Sequence, residues 1–159
     1  MDRTSGTADD SQHPSYACLT IEQHTLLLPQ REVRTLESVL DIRTEQPPAH
    51  GVGWLSFAHR DWPVYGLDTA LHPLSTVPAS QRICVLLTLA EGYFGLLCSN
   101  VKTAHSSAVE SRPLPRAMAK PLTPLRALVL FGDRVGLVSS AMALAAYLGV
   151  HVETLTTSR

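Results

Sequence analysis

Short apolar runs of strand length recur along the whole chain, each closed within a few residues by Gly, Pro or clustered polar residues. This rhythm, more than any motif, limits what the chain can fold into. From Tyr16, the residues Ala17, Leu19 and Ile21 alternate with Cys18, Thr20 and Glu22, the period-two pattern of a half-buried strand. A turn is expected at Gln23-His24, then a short strand over 26–28 closed by Pro29, then a brief segment 30–36 that places Val33 and Leu36 on one side at helical spacing. Residues 37–43 are apolar at Val39, Leu40 and Ile42 and end in the breaker Gln46-Pro47-Pro48-Ala49-His50-Gly51. Between 52 and 64, Trp54, Ser56, Ala58 and Arg60 alternate with Leu55, Phe57, His59 and Asp61, with His59-Arg60-Asp61 as the expected hairpin tip.

The second half continues in the same way. Residues 67–71 suit one helical turn, and 72–80, with Pro73 and Pro78, suit a loop. Residues 83–89, the turn Ala90-Glu91-Gly92 and a return strand over 93–101 form the next hairpin. Residues 102–124 hold Pro113, Pro115, Pro121 and Pro124 and are expected to form a long connection between lobes. Residues 125–131 and 135–138 flank the hairpin signal Gly132-Asp133-Arg134. Ser139 or Ser140 then caps a helix containing Met142, Leu144, Ala145, Tyr147 and Leu148, stopped by Gly149. The expectation is about eight strands and one helix, with a disordered lead-in over 1–14 and a fraying tail over 150–159.

Composition narrows the function. The 159 residues carry 13 Lys+Arg against 14 Asp+Glu, a net charge of −1, with no like-charge block to track a nucleic-acid backbone or an anionic membrane. Residues 135–152 contain no Asp, Glu, Lys or Arg, but Gly136, Ser139, Ser140, Gly149 and His151 dilute the run, and a buried strand leading into a buried helix accounts for it better than a membrane span. The first 14 residues lack the apolar core of a signal peptide, and three cysteines without a CxxC pair suit a reducing cytoplasm.

Catalytic constellations are missing. There is no GxxxxGK[ST], GxGxxG, HExxH, GxSxG or EF-hand loop, so phosphate cradles, zincin sites and nucleophile elbows have no support, and no cofactor is expected. His13, His24, His50, His59, His72, His105 and His151 fall in turns or loops without helical ligand spacing, which favours surface histidines over a metal site. Cys84 and Cys98 lie on adjacent expected strands and would face each other; with His59 or His105 they define the enzymatic alternative, a thiol nucleophile, against burial in aliphatic runs. His59-Arg60-Asp61 could be read as a charged active-site cluster, but a hairpin tip needs polar residues there anyway, and solvation of the tip is the favoured reading.

Several segments together resemble the CheW-like coupling domain of bacterial chemotaxis systems, from Tyr16 to Leu148. Leu26-Leu27-Leu28-Pro29 with Glu32-Val33-Arg34-Thr35-Leu36 is similar to the end of the family's first hairpin. Gly53-Trp54-Leu55-Ser56-Phe57 with Trp62-Pro63-Val64-Tyr65-Gly66-Leu67 resembles its "GVINLRG…VVPVVDL" segment. Residues 82–87 with Gly95 to Val101 resemble its "R-x-x-V-V…G-L-x-V-D-x-V" hairpin, Arg112-Pro113-Leu114-Pro115 its proline-bearing loop, residues 128–138 its last hairpin and residues 141–148 its terminal helix. Four markers differ: the Arg of "NLRG" aligns with Ala58, its Gly with His59, the Asp of "VVDL" with Gly66, and the Asp of "V-D-x-V" with Ser99.

The resemblance implies a mainly β fold of two small five-stranded SH3-like β-barrel lobes with a short C-terminal helix, over residues 15–149. It further implies a non-enzymatic cytoplasmic adaptor, recruited to membrane receptor arrays, that bridges a CheA-like histidine kinase regulatory domain and a methyl-accepting chemoreceptor. A type IV pilus or other chemosensory-like pathway is the alternative setting. The expected partner-binding residues are Val33, Thr35, Leu36, Gly53, Phe57, Ala58 and Trp62; core packing is the competing explanation for the apolar ones. An Ala where the family has Arg supplies no side-chain donor, so binding there is weaker or made by other residues.

Overall fold

The computed structural model describes residues 15–119, 123–131 and 133–150. The lead-in 1–14, the tail from 151 onward, Pro121 and Gly132 therefore lie outside the described residues. Eleven strands are found among those described: β1 (Ser15–Ile21), β2 (His24–Pro29), β3 (Val33–Ser38), β4 (Gly53–Phe57), β5 (Arg60–Tyr65), β6 (Ile83–Leu89), β7 (Gly92–Cys98), β8 (Asn100–His105), β9 (Glu110–Pro113), β10 (Ala127–Phe131) and β11 (Arg134–Val138). One α-helix, α1 (Ala141–Leu148), follows. Ser140 Oγ accepts from Ala143 N at 3.0 Å to cap its start, and Gly149 ends it at φ 75°, a left-handed conformation that glycine adopts without steric cost.

The strands form two sheets, β8-β1-β2-β11-β10-β9 and β3-β6-β7-β5-β4. The mainly β, two-lobed architecture with one short C-terminal helix is thus the observed one. Within each sheet the same five-strand arrangement recurs. A central parallel pair (β2 with β11, β7 with β5) is flanked by antiparallel hairpins, and an edge strand (β8 or β3) lies antiparallel to the hairpin strand beside it. In chain order, β8, β10, β11, β1 and β2 correspond to β3, β4, β5, β6 and β7, with β9 an added edge. One lobe is therefore continuous in sequence, and the other is assembled from both ends of the chain.

Strand alternation gives each sheet two apolar faces. Cys84, Leu86 and Leu97 join Leu55, Trp62 and Val64 inside the continuous lobe, and Cys18, Leu27 and Val129 fill the split lobe. The opposite faces, with Leu19, Ile21, Leu26, Leu28, Val85, Leu87, Phe94 and Leu96, meet in a shared core that α1 closes with Leu144 and Leu148. Each such aliphatic side chain taken fully out of water contributes about 1.5–3 kcal/mol. Gly95 leaves room for the side chains packed inside the continuous lobe, because a Cβ there would stand 2.7 Å from Cys84 Sγ and 3.1 Å from Leu86 Cδ2. Polar links also join the lobes: Gln81 Nε2 and Ser80 Oγ both donate to Glu22 Oε2, at 2.9 and 3.0 Å, and Tyr147 Oη donates to Leu71 O at 2.7 Å.

Several local expectations are corrected. Residues 30–36 are not one helical segment; a single 3-10 turn over Gln30–Glu32 leads into β3, so Val33 packs toward the shared core while Leu36 is 47% exposed. Periodicity over so few residues does not separate the two conformations. The first turn sits at Glu22-Gln23, with Glu22 at φ 55°, and His24 already belongs to β2. Residues 67–71 form a turn held by Asp68, whose Oδ1 accepts from Ala70 N and His72 N, both at 2.9 Å, instead of a helical turn. The expected strand 93–101 breaks at Ser99, where the chain passes from one sheet to the other; Ser99 N donates to Thr20 O at 2.8 Å. The crossing between lobes therefore lies there, and residues 102–124 supply the rest of β8 and all of β9 where a connection was expected.

Candidate interaction surface

The β4–β5 hairpin builds the site. Its register pairs Phe57 with Arg60, leaving Ala58 and His59 as a two-residue turn, at φ 53° and 65°. Positive φ at both central residues is the requirement of a type I′ turn, whose twist matches that of the strands. The turn therefore comes one residue earlier than the tip expected at His59-Arg60-Asp61, and those three side chains do not cluster. Asp61 turns to the opposite face from Arg60, where Arg43 Nη2 lies 2.7 Å from Oδ1 and Ser56 Oγ donates at 2.9 Å.

On the Arg60 side an aromatic row closes one end of the continuous lobe. Phe57 and Trp62 meet edge to face with centroids 5.9 Å apart, and Trp62 and Tyr93 lie 4.7 Å apart at 50°. Trp62 is buried, and its Nε1 donates to Phe57 O at 3.0 Å, which satisfies its only polar atom. Two guanidinium groups cover the row: Arg34 lies 5.5 Å from the Phe57 centroid and Arg60 lies 5.3 Å from that of Tyr93. A groove of about 620 Å³ opens beside them, bounded by Ala58, Trp62 and the β6–β7 tip from Thr88 to Tyr93.

Of the seven residues singled out from sequence, Ala58 and Trp62 line this groove and Phe57 packs directly behind Trp62. Val33 packs on the shared core, and Thr35 Oγ1 donates to Glu37 Oε2 at 3.3 Å. Leu36 is exposed on β3. Gly53 is buried where a Cβ would strike the Arg43 carbonyl, so its lack of a side chain serves the Arg43–Trp54 bridge. Arg34 and Tyr93 were not anticipated, and Arg60 was expected only within a charged hairpin tip. The helical reading of 30–36 hid the outward face of β3, and the misplaced turn left Arg60 at a hairpin tip.

The thiols do not form a reactive pair. Cys84 faces the interior of the continuous lobe and Cys98 the shared core, on opposite sides of one sheet, so they do not face each other. Burial pushes the Cys84 thiol up to about 12, with repulsion from Cys98 and Glu37 adding to it, and burial likewise pushes Cys98 up to about 12. Neither is a thiolate at neutral pH. No group of three or more His, Cys, Asp or Glu side chains is arranged to hold a metal ion among the described residues, and no described helix is long and apolar enough to cross a membrane.

No protein-family model matches this sequence, and no curated protein matches it. The structure, by contrast, has a solved counterpart in fold. It is similar to the crystal structure of the scaffolding protein TtCheW from Thermoanaerobacter tengcongensis, with a TM-score of 0.62 and 11% sequence identity over 80% of this chain and 88% of that one. The fold is CheW-like.

Proposed function

We propose that this protein is a non-enzymatic adaptor of a chemotaxis-type signalling assembly, bridging a CheA-like histidine kinase regulatory domain and a methyl-accepting chemoreceptor. The observation that carries the reading is the solvent-open aromatic groove at the end of the continuous lobe, on a fold shared with a scaffolding protein. Aromatic side chains flanked by arginine are the residue types that dominate binding energy at protein interfaces. The protonated, buried thiols argue against the thiol-enzyme alternative. Ala58, Trp62 and Phe57 are the residues of the expected set assigned to partner contact; Val33 packs on the shared core, Gly53 admits the Arg43–Trp54 bridge, and Leu36 stays exposed on β3. A cytoplasmic protein recruited to receptor arrays fits this role.

The test is capture of a chemotaxis-type kinase regulatory domain from the same organism by the purified chain. Phe57→Asp and Ala58→Asp are compared with the parent, the second because Ala58 is exposed and its change leaves the core intact. Capture lost in both variants with folding retained supports the adaptor reading. No capture by the parent chain removes this pathway and leaves a type IV pilus or other chemosensory-like setting to be tried with its own kinase.

A further inference from the structure

The groove beside Trp62 carries a charge pattern unlike that of the chain as a whole. Overall the protein is near neutral at −1, yet the groove lining holds two guanidinium groups, Arg34 and Arg60, against one carboxylate, Glu91. Both guanidinium groups are laid on aromatic faces, Arg34 on Phe57 and Arg60 on Tyr93. A guanidinium held over a ring keeps its N–H donors, which suit a carboxylate in bidentate geometry. Ala58, whose side chain brings no donor, also lines the groove.

We infer that this groove receives an acidic polypeptide segment of a partner protein, with an apolar side chain seated against Trp62 and Tyr93 and flanking Asp or Glu side chains paired with Arg34 and Arg60. The inference deepens the docking reading above by fixing the chemistry of the occupant, and it assigns the cationic contact to β3 and β5 instead of the turn between β4 and β5. Complementary charge at such a rim governs the association rate and its salt dependence, while the desolvated apolar contact holds the complex.

The test titrates synthetic peptides of repeating Glu-Leu-Glu, Gln-Leu-Gln and Lys-Leu-Lys units into the full chain carrying Trp54→Phe, so that Trp62 is the sole indole reporter. The Glu peptide is expected to shift the Trp62 indole N–H resonance and to bind at least about tenfold more tightly than the Gln peptide at low salt, with the difference collapsing at high salt. Arg34→Glu with Arg60→Glu is expected to abolish this binding, and the exposed Arg126→Glu to leave it unchanged. Equal binding of the Gln or Lys peptide, no shift with any peptide, or retained binding in the doubly reversed variant overturns the inference. The kinase domain separates the two claims: its capture undiminished by the double reversal overturns this inference and keeps the adaptor, whereas Glu-peptide binding without kinase capture does the reverse.

Discussion

Glu32 Oε1 accepts a 2.7 Å hydrogen bond from Ala141 N, joining the turn before β3 to the first residue of α1 across 109 positions of sequence. A carboxylate there satisfies one orphan amide and faces the positive end of the helix dipole, which adds to the Ser140 cap. Glu32→Ala should therefore lower stability by about 1–2 kcal/mol and Glu32→Gln, which keeps an acceptor but not the charge, by about 0.3–1 kcal/mol, read by urea unfolding. Equal losses would mean that the charge plays no part.

The turn between β4 and β5 stores strain that a single substitution can relieve. Ala58 is held at φ 53°, where an L side chain crowds the following carbonyl. Ala58→Gly should raise the stability by about 1 kcal/mol, seen as a higher Tm with the hairpin register retained. A lower Tm would show that the turn relaxes from this geometry in solution.

Gly95 should respond in the opposite sense. A methyl group at this position meets Cys84 Sγ and Leu86 Cδ2 inside a packed lobe, and Gly95→Ala should cost about 1–3 kcal/mol. Combining it with Cys84→Ala, which removes the nearest atom, should recover part of that loss; additive losses would place the strain elsewhere.

The cysteines make a pH prediction with a definite sign. Cys84 and Cys98 remain protonated in the folded protein until about pH 12, from an ordinary value near 9 in the unfolded chain. Above pH 9 the unfolded state releases protons that the folded state retains, so stability is full below that value and falls as pH rises from 9 toward 12. Denaturation midpoints across that range should drop, and Cys84→Ala with Cys98→Ala should flatten the drop. At neutral pH iodoacetamide should label neither thiol until urea unfolds the chain.

The sequence was most legible where burial is one-sided or complete. Alternation at Ala17, Leu19 and Ile21 located β1, and Ser140 with Gly149 bracketed α1, because each signal arises within its own few residues. What escaped were features set by distant partners. Val33 and Leu36 fit a helix locally and became a strand because β6 pairs with them, and residues after Ser99 became β8 because β1 offers an open edge. The groove was half legible: Phe57, Ala58 and Trp62 share one hairpin, whereas Arg34 and Tyr93 reach them only through the sheet order.

The repeated five-strand arrangement has a consequence for biosynthesis. A ribosome that has released the chain through Cys98 has delivered every strand of the continuous lobe, which can close at once. The hairpin β1–β2, although made before that lobe, has at that moment neither β8 nor β11 beside it, and Leu27 and Cys18 still lack Val129. The hairpin β1–β2, made before the continuous lobe, is thus enclosed after it, and premature termination anywhere between β8 and β11 should yield a product with one finished lobe and an apolar hairpin open to chaperones and proteases.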